Sequence, residues 1–322
     1  MKKIIALICA ALLVASMAAC TPTATDDGKY VIGICEFVTH PALDQATAGF
    51  KAAVIAGLGE ENVTFEIGNA AGEASNCTSV VTDLIAKKVD LIMANATPSV
   101  LAAANATETI PILGTSVTEY GVALGIQNFS GTVGGNVSGT SDLADLDQQA
   151  QMILDWFPEA QKIALVYCNA EANSQYQVDE VQKKLIAKGV PAENIQQKSF
   201  SDTSTMAATV EAAADWADVI YVPTDNTVAN NAVAIYDICK AKNTPIIAGE
   251  EGICASCGVA TLSISYYELG YKTGEMAVQI LKGEAKISEM PIAYAPSATK
   301  KYNETICQEL GITPLTGYEK IG

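Results

Sequence analysis

The chain contains no arginine; all 19 of its basic residues are lysines. That excludes bidentate arginine clamps on carboxylate or phosphate and leaves hydroxyls, backbone N–H groups or lysine for such a task. Histidine is nearly absent as well, with His40 alone. One histidine excludes zinc sites that need two or three, including HExxH. Basic groups are outnumbered by 36 acidic ones, and the net charge of −17 argues against a nucleic-acid partner. There is no GxSxG, no GxxxxGK[ST] and no GxGxxG after the first strand-like run. A Ser-His-Asp triad would have to use His40, and no serine sits on a nucleophile elbow. No catalytic set, metal site or cofactor is therefore expected. Apolar residues make up 49% of the 322 residues, which excludes intrinsic disorder and allows about two domains.

Long apolar runs are confined to the start. Lys2 and Lys3 precede an apolar stretch from Ile4 to Val14, too short to span a bilayer, and small residues lead up to Cys20. Residues 1–19 resemble a bacterial lipoprotein signal, which implies cleavage before Cys20 and lipidation of its thiol. Residues 20–29 read as a polar tether. The expected location is extracytoplasmic, lipid-anchored to the cell membrane. Of the nine cysteines, Cys9 and Cys20 belong to this segment. The other seven are an odd number and do not suggest a disulfide framework. Cys254-Ala-Ser-Cys257 has redox spacing but no thioredoxin-like strand–helix context, so a local disulfide and ordinary packing both stay open.

From residue 30 the pattern alternates strand and helix. Tyr30–Phe37 is a continuous apolar run of buried parallel-strand type, and Pro41 opens a helix. The alternation continues to a strand over 110–115. Gly121–Ser141, rich in glycine and polar residues, then reads as a crossing between lobes. A second series runs from a helix at 147–157 to a strand at 245–248, followed by a strand at 259–264 and a helix at 267–282. Two such series predict an α/β fold: two Rossmann-like lobes with parallel sheets joined by a hinge. Ligands in open α/β sheets bind beyond the carboxyl ends of the strands. The residues there are Phe37, Thr39 and His40, then Thr97, Thr115 and Ser116 in the first series. In the second they are Glu171, Asn173 and Ser174, then Asp225, Asn226 and Glu250. Short hydroxyl and amide side chains dominate. Hydroxyls beside helix N-termini suit a carboxylate, carboxylates suit an ammonium group, and Phe37 offers a stacking face. Tyr266 and Tyr267 read as lobe packing.

Several stretches together carry a family resemblance. They are Ile32-Gly-Ile with Phe37, His40-Pro-Ala-Leu-Asp44, Ala96-Thr-Pro98, Gly134-Gly-Asn-Val-Ser-Gly-Thr-Ser-Asp142, Glu171-Ala-Asn-Ser174, Tyr221-Val-Pro-Thr-Asp-Asn-Thr-Val228, Glu250-Glu-Gly252 and Tyr266-Tyr-Glu-Leu-Gly270. In that order the chain resembles the substrate-binding lipoproteins of ABC transporters, with the type 1 periplasmic-binding-protein fold, and more narrowly the subgroup linked to tryptophan and tyrosine import. It departs from the commoner pattern at Ile253–Cys257 and at Cys35. The resemblance implies a first lobe of residues 30–135 with 260–288 and a second of 136–259 with 289–322. It implies capture of a small solute by hinge closure, delivery to an ABC permease with its ATPase, and a monomer. For an amino acid, the carboxylate would go to Thr97, Thr115 and Ser116, the ammonium to Asp225 or Glu250, and the ring near Phe37 and His40. A nucleoside or sugar, or a sensory role toward a membrane kinase, is the alternative.

Overall fold

The computed structural model describes residues 28–295 and 298–321. The expected signal segment and Cys20 lie outside these residues. Two α/β lobes account for the described chain. The first sheet begins with β1 (Tyr30–Glu36), β2 (Val63–Asn69), β3 (Leu91–Asn95), β4 (Ile112–Val117) and β5 (Val137–Ser141). With the short β11 (Ala293–Tyr294) its order is β11-β5-β4-β3-β1-β2, and every pairing is parallel. Its helices are α1 (Pro41–Leu58), α2 (Ala74–Ala86), α3 (Thr97–Ala106), α4 (Tyr120–Leu124) and α10 (Tyr266–Leu281).

The second sheet comprises β6 (Ile163–Cys168), β7 (Ile195–Phe200), β8 (Val219–Val222), β9 (Ile246–Ala248), β10 (Ala260–Ser263), β12 (Thr299–Tyr302) and β13 (Glu319–Lys320), in the order β13-β12-β10-β9-β8-β6-β7. Only the β10–β12 pairing is antiparallel among them. Its helices are α5 (Leu146–Trp156), α6 (Ala172–Ala187), α7 (Thr203–Trp216), α8 (Asn226–Ala241), α9 (Glu251–Cys257) and α11 (Glu304–Glu309).

Helices on both faces explain why the central strands read as unbroken apolar runs. Ile32 and Ile34 of β1 pack with Phe50 of α1 and Met276 of α10, whereas Cys35 packs on the opposite face with Val81 and Leu84 of α2. Helices α1 and α10 cross at backbone contact. A Cβ on Gly270 would overlap the carbonyl oxygen of Ala46, and one on Gly49 that of Tyr267.

The stretch expected to be a crossing instead contains α4 and β5. The strand Val-Ser-Gly-Thr-Ser is polar, yet all five residues are buried. Its hydroxyls are satisfied internally: Ser138 donates to the Met290 carbonyl at 3.0 Å, and the hydroxyls of Thr140 and Thr273 lie 2.8 Å apart. Satisfied hydroxyls remove the cost of burying them, and the apolar signature with it. Two more assignments shift. Strand β10, expected with the first lobe, pairs with β9 and β12 of the second sheet, and β11, expected with the second lobe, pairs with β5. The chain thus passes between lobes at residues 142–145, at 264–265 and between Tyr294 and Thr299.

The seven described cysteines are all free and buried. Cys254 and Cys257 lie inside α9 and pack with the core of the second lobe, and burial pushes both thiols well above the ordinary cysteine range. No helix among the described residues is long and apolar enough to cross a membrane.

Candidate functional site

The carboxyl ends of both sheets face a narrow cavity between the lobes. The first lobe and its crossings contribute His40, Leu43, Ser116, Thr118, Asp142 and Tyr266; the second contributes Asn173, Thr224, Asp225, Asn226, Ala229 and Glu250. With the lobes together the cavity measures about 10 Å³, room for roughly one water, so a solute is admitted only when the lobes part.

Six of the residues expected at the site line the cavity: His40, Ser116, Asn173, Asp225, Asn226 and Glu250. Phe37, Thr97, Thr115, Glu171 and Ser174 are buried but do not. Phe37 packs with the core of the first lobe, so it offers no stacking face to the cleft. Thr97 opens α3, and the Thr115 hydroxyl accepts from that of Thr140 at 3.3 Å. Ser174 accepts from the Asn173 amide at 3.2 Å. Glu171 accepts from the first turn of α8, where Thr227 N–H and hydroxyl each lie at 2.8 Å.

The two carboxylates expected to meet an ammonium group are already engaged. Asp225 caps α8, accepting from Val228 N at 2.8 Å, and its other oxygen accepts from Cys168 N at 2.7 Å. Burial raises its pKa well above the usual range, and the neighbouring Glu171 charge adds to the rise. Glu250 caps α9 by accepting from Gly252 N at 2.6 Å and from Ile253 N. Burial pushes its pKa up to about 7, against the lowering effect of those backbone bonds.

Asp142, placed by the first crossing, is different. One carboxylate oxygen accepts from the Tyr266 hydroxyl at 3.0 Å, while Oδ1 has no partner although the residue is 4% exposed. Burial raises its pKa, and the Tyr266 and Thr118 hydroxyls oppose the rise. Two further buried oxygens lining this cavity are unpartnered: Ser116 Oγ and Asn173 Oδ1. Ser116 sits at an irregularity in the β4–β5 ladder with φ +55°, a region that costs a serine about 1 kcal/mol or more. Strain and an unsatisfied hydroxyl coincide at the cleft wall. Neither Asp142 nor Tyr266 was singled out by the sequence reading. Asp142 follows directly on the polar stretch 121–141 that reads as a crossing, and Tyr266 reads as packing. The signal that could have found them is that Asp142 begins one passage between the lobes and Tyr266 directly follows another.

Among the described residues, His40 and Asn226 form a hydrogen bond from one lobe to the other. Asn226 donates its amide to Glu171 at 2.6 Å, which turns Oδ1 toward His40 Nε2 at 3.1 Å, so the imidazole is the donor. Burial lowers the His40 pKa. Among the described residues no three His, Cys, Asp or Glu side chains gather as a metal site.

Comparisons with known proteins agree with this architecture. The sequence model of the family described as ABC transporter substrate binding protein matches residues 31–316. A tyrosine-binding protein of Clostridioides difficile is 34% identical over 331 aligned positions, covering 98% of this chain and 94% of the relative. A Streptococcus pneumoniae ABC domain in complex with L-Trp superposes with a TM-score of 0.85 at 29% identity, covering 91% of this chain and 99% of that one. The ligand-free, open structure of a Clostridium difficile substrate-binding protein with adhesive properties is 34% identical over the same shares, yet its TM-score is 0.68. The more similar sequence superposes less well, which places the lobe arrangement here nearer the L-Trp complex than the open form.

Proposed function

The chain belongs to the ABC transporter substrate-binding protein family, and we propose that the solute it captures is an aromatic amino acid, held in the interlobe cavity. The observation that carries this reading is the convergence of three unpartnered buried oxygens, Ser116 Oγ, Asp142 Oδ1 and Asn173 Oδ1, on one cavity. Two of them can only accept while Asp142 is ionised, and an ammonium group has three protons to give. Ser116 can donate to a carboxylate. Leu43, Ala229 and the Tyr266 ring supply apolar surface for a side chain. The relatives that bind tyrosine and L-Trp support the aromatic class.

In this reading Asp142, whose Oδ1 has no partner, takes the ammonium role, while Asp225 and Glu250 each already accept two backbone N–H groups. The ammonium spans a first-lobe carboxylate and a second-lobe amide, so it binds the closed form better than the open one. That differential affinity is what drives closure. Titration calorimetry on Asp142→Asn tests it. A charge-assisted hydrogen bond contributes about 1.5–3 kcal/mol, so the affinity for L-tyrosine or L-tryptophan should fall roughly tenfold to a hundredfold. A folded variant within about threefold of the wild type would remove Asp142 from the site.

The finer biology belongs to the same proposal. The captured solute is handed to an ABC permease with its ATPase, and the chain stands outside the cytoplasm, tethered through acylated Cys20. Replacing Cys20 by serine should move the protein from the membrane fraction to the soluble one, and unchanged partitioning would contradict the anchor.

A further inference from the structure

We infer that Glu171 is a positioning residue: without lining the cavity, it turns two asparagines so that both present carbonyl oxygens to the cleft. The consequence for ligand choice rests on the reading of the cavity as an ammonium site. The geometry stands on its own. Glu171 is 3% exposed, at the head of α6, and five donors converge on it. Asn226 gives its backbone N–H at 3.1 Å and its amide at 2.6 Å; Thr227 gives N–H and hydroxyl, each at 2.8 Å; Asn173 gives its amide at 3.2 Å.

An ionised carboxylate can only accept, so the end of each amide facing it must be the NH₂ group. The carbonyl ends therefore point away. Asn226 Oδ1 meets His40 across the cleft at 3.1 Å, and Asn173 Oδ1 is the unpartnered atom at the cavity wall. The Thr224 carbonyl, 3.1 Å from the Asn173 amide, holds that asparagine the same way. For the Asn226 amide nitrogen, Glu171 is the one acceptor among the described residues. All the donors lie in the second lobe, so the arrangement is set before the lobes meet. The second lobe thus offers a wall of acceptors. It welcomes an ammonium group and the His40 N–H, and a ligand with no amino group leaves it unpaired.

The test uses the whole chain, ¹⁵N-labelled, as wild type and Glu171→Ala, each shown folded by circular dichroism. The side-chain NH₂ signals are assigned by their loss in Asn173→Asp and Asn226→Asp. In the wild type both should be protected from exchange with water, and in Glu171→Ala the Asn226 signal should exchange at least about tenfold faster. Unchanged exchange would overturn the positioning role. The second arm compares L-tyrosine with 3-(4-hydroxyphenyl)propionate, the same molecule without its amino group. Wild type should prefer L-tyrosine, and Glu171→Ala should shrink that preference at least about tenfold. A preference kept within about twofold would overturn the link to ligand choice. If the wild type binds neither compound while the amides behave as expected, the positioning role holds and the ammonium reading fails.

Discussion

At the scale of single residues, the cleft concentrates carboxylates that burial makes hard to ionise. Glu250 is the clearest, with its pKa raised from 4.5 to about 7. A raised carboxyl pKa means that the folded chain binds the proton more tightly than the unfolded one. Stability is then greatest below the unfolded value and falls as pH rises from about 4.5 to 7. The shift corresponds to about 3 kcal/mol at most. Asp142 and Asp225 are raised as well and act with the same sign, so the wild type alone cannot isolate Glu250. The difference between wild type and Glu250→Gln can. In urea unfolding at about pH 5 and pH 8 that difference should change by at least about 1 kcal/mol, wild type losing more on the alkaline side. A difference independent of pH would show that Glu250 ionises freely in the fold. The residue scale is also where sequence reading was most partial. His40, Asn173, Asp225 and Asn226 were legible because each follows a strand and precedes or opens a helix. Their individual duties were not, since a cap and a ligand contact use the same residue types. Asp225 and Glu250 turned out to cap helices, whereas Asp142, with its free oxygen, lies just past a stretch that carries no apolar pattern.

At the scale of elements, the site depends on one crossing. Helix α10 carries Tyr266 in its first turn and lies directly on α1, the helix that His40 precedes. Small residues at 46, 49, 53, 270 and 274 bring the two backbones together. Gly270→Ala should improve helix propensity by about 1 kcal/mol. Its Cβ would nevertheless meet the Ala46 carbonyl, so the net effect should be destabilisation by about 2 kcal/mol or more in urea unfolding. Gly283→Ala is the control, because nothing surrounds that Cβ and φ +70° alone sets a smaller cost. If Gly270→Ala is neutral or stabilising, the helices do not touch as described. Elements were largely legible in the sequence where a proline met an apolar period, as at Pro41. Strand β5 and helix α9 escaped. The first hides its burial behind paired hydroxyls, and the second is capped by a glutamate, an uncommon N-cap that no pattern flags.

At the scale of the whole molecule, two lobes meet across a cavity whose polar groups come from both sides. Three passages of chain connect them; Asp142 begins the first and Tyr266 directly follows the second, and the two are bonded to each other at 3.0 Å. A ligand charge placed on Asp142 is therefore felt at the hinge itself. The two-lobe plan was legible from the repeated alternation of strand and helix. The lobe boundaries were not, because the first comes after a buried polar strand and the others lie at short segments that sheet pairing alone assigns.

The central claim is that this cleft closes on an aromatic amino acid. The most direct measurement is the melting temperature of the chain freed of residues 1–19, refolded from denaturant to strip bound solute, with L-tyrosine, L-tryptophan, L-leucine or ribose. At about a hundredfold the dissociation constant, a ligand adds roughly 2.7 kcal/mol of stability. The account predicts a clear upward shift with L-tyrosine or L-tryptophan and none with ribose. A shift with ribose alone, or none with either aromatic amino acid in protein shown to be folded, would contradict it.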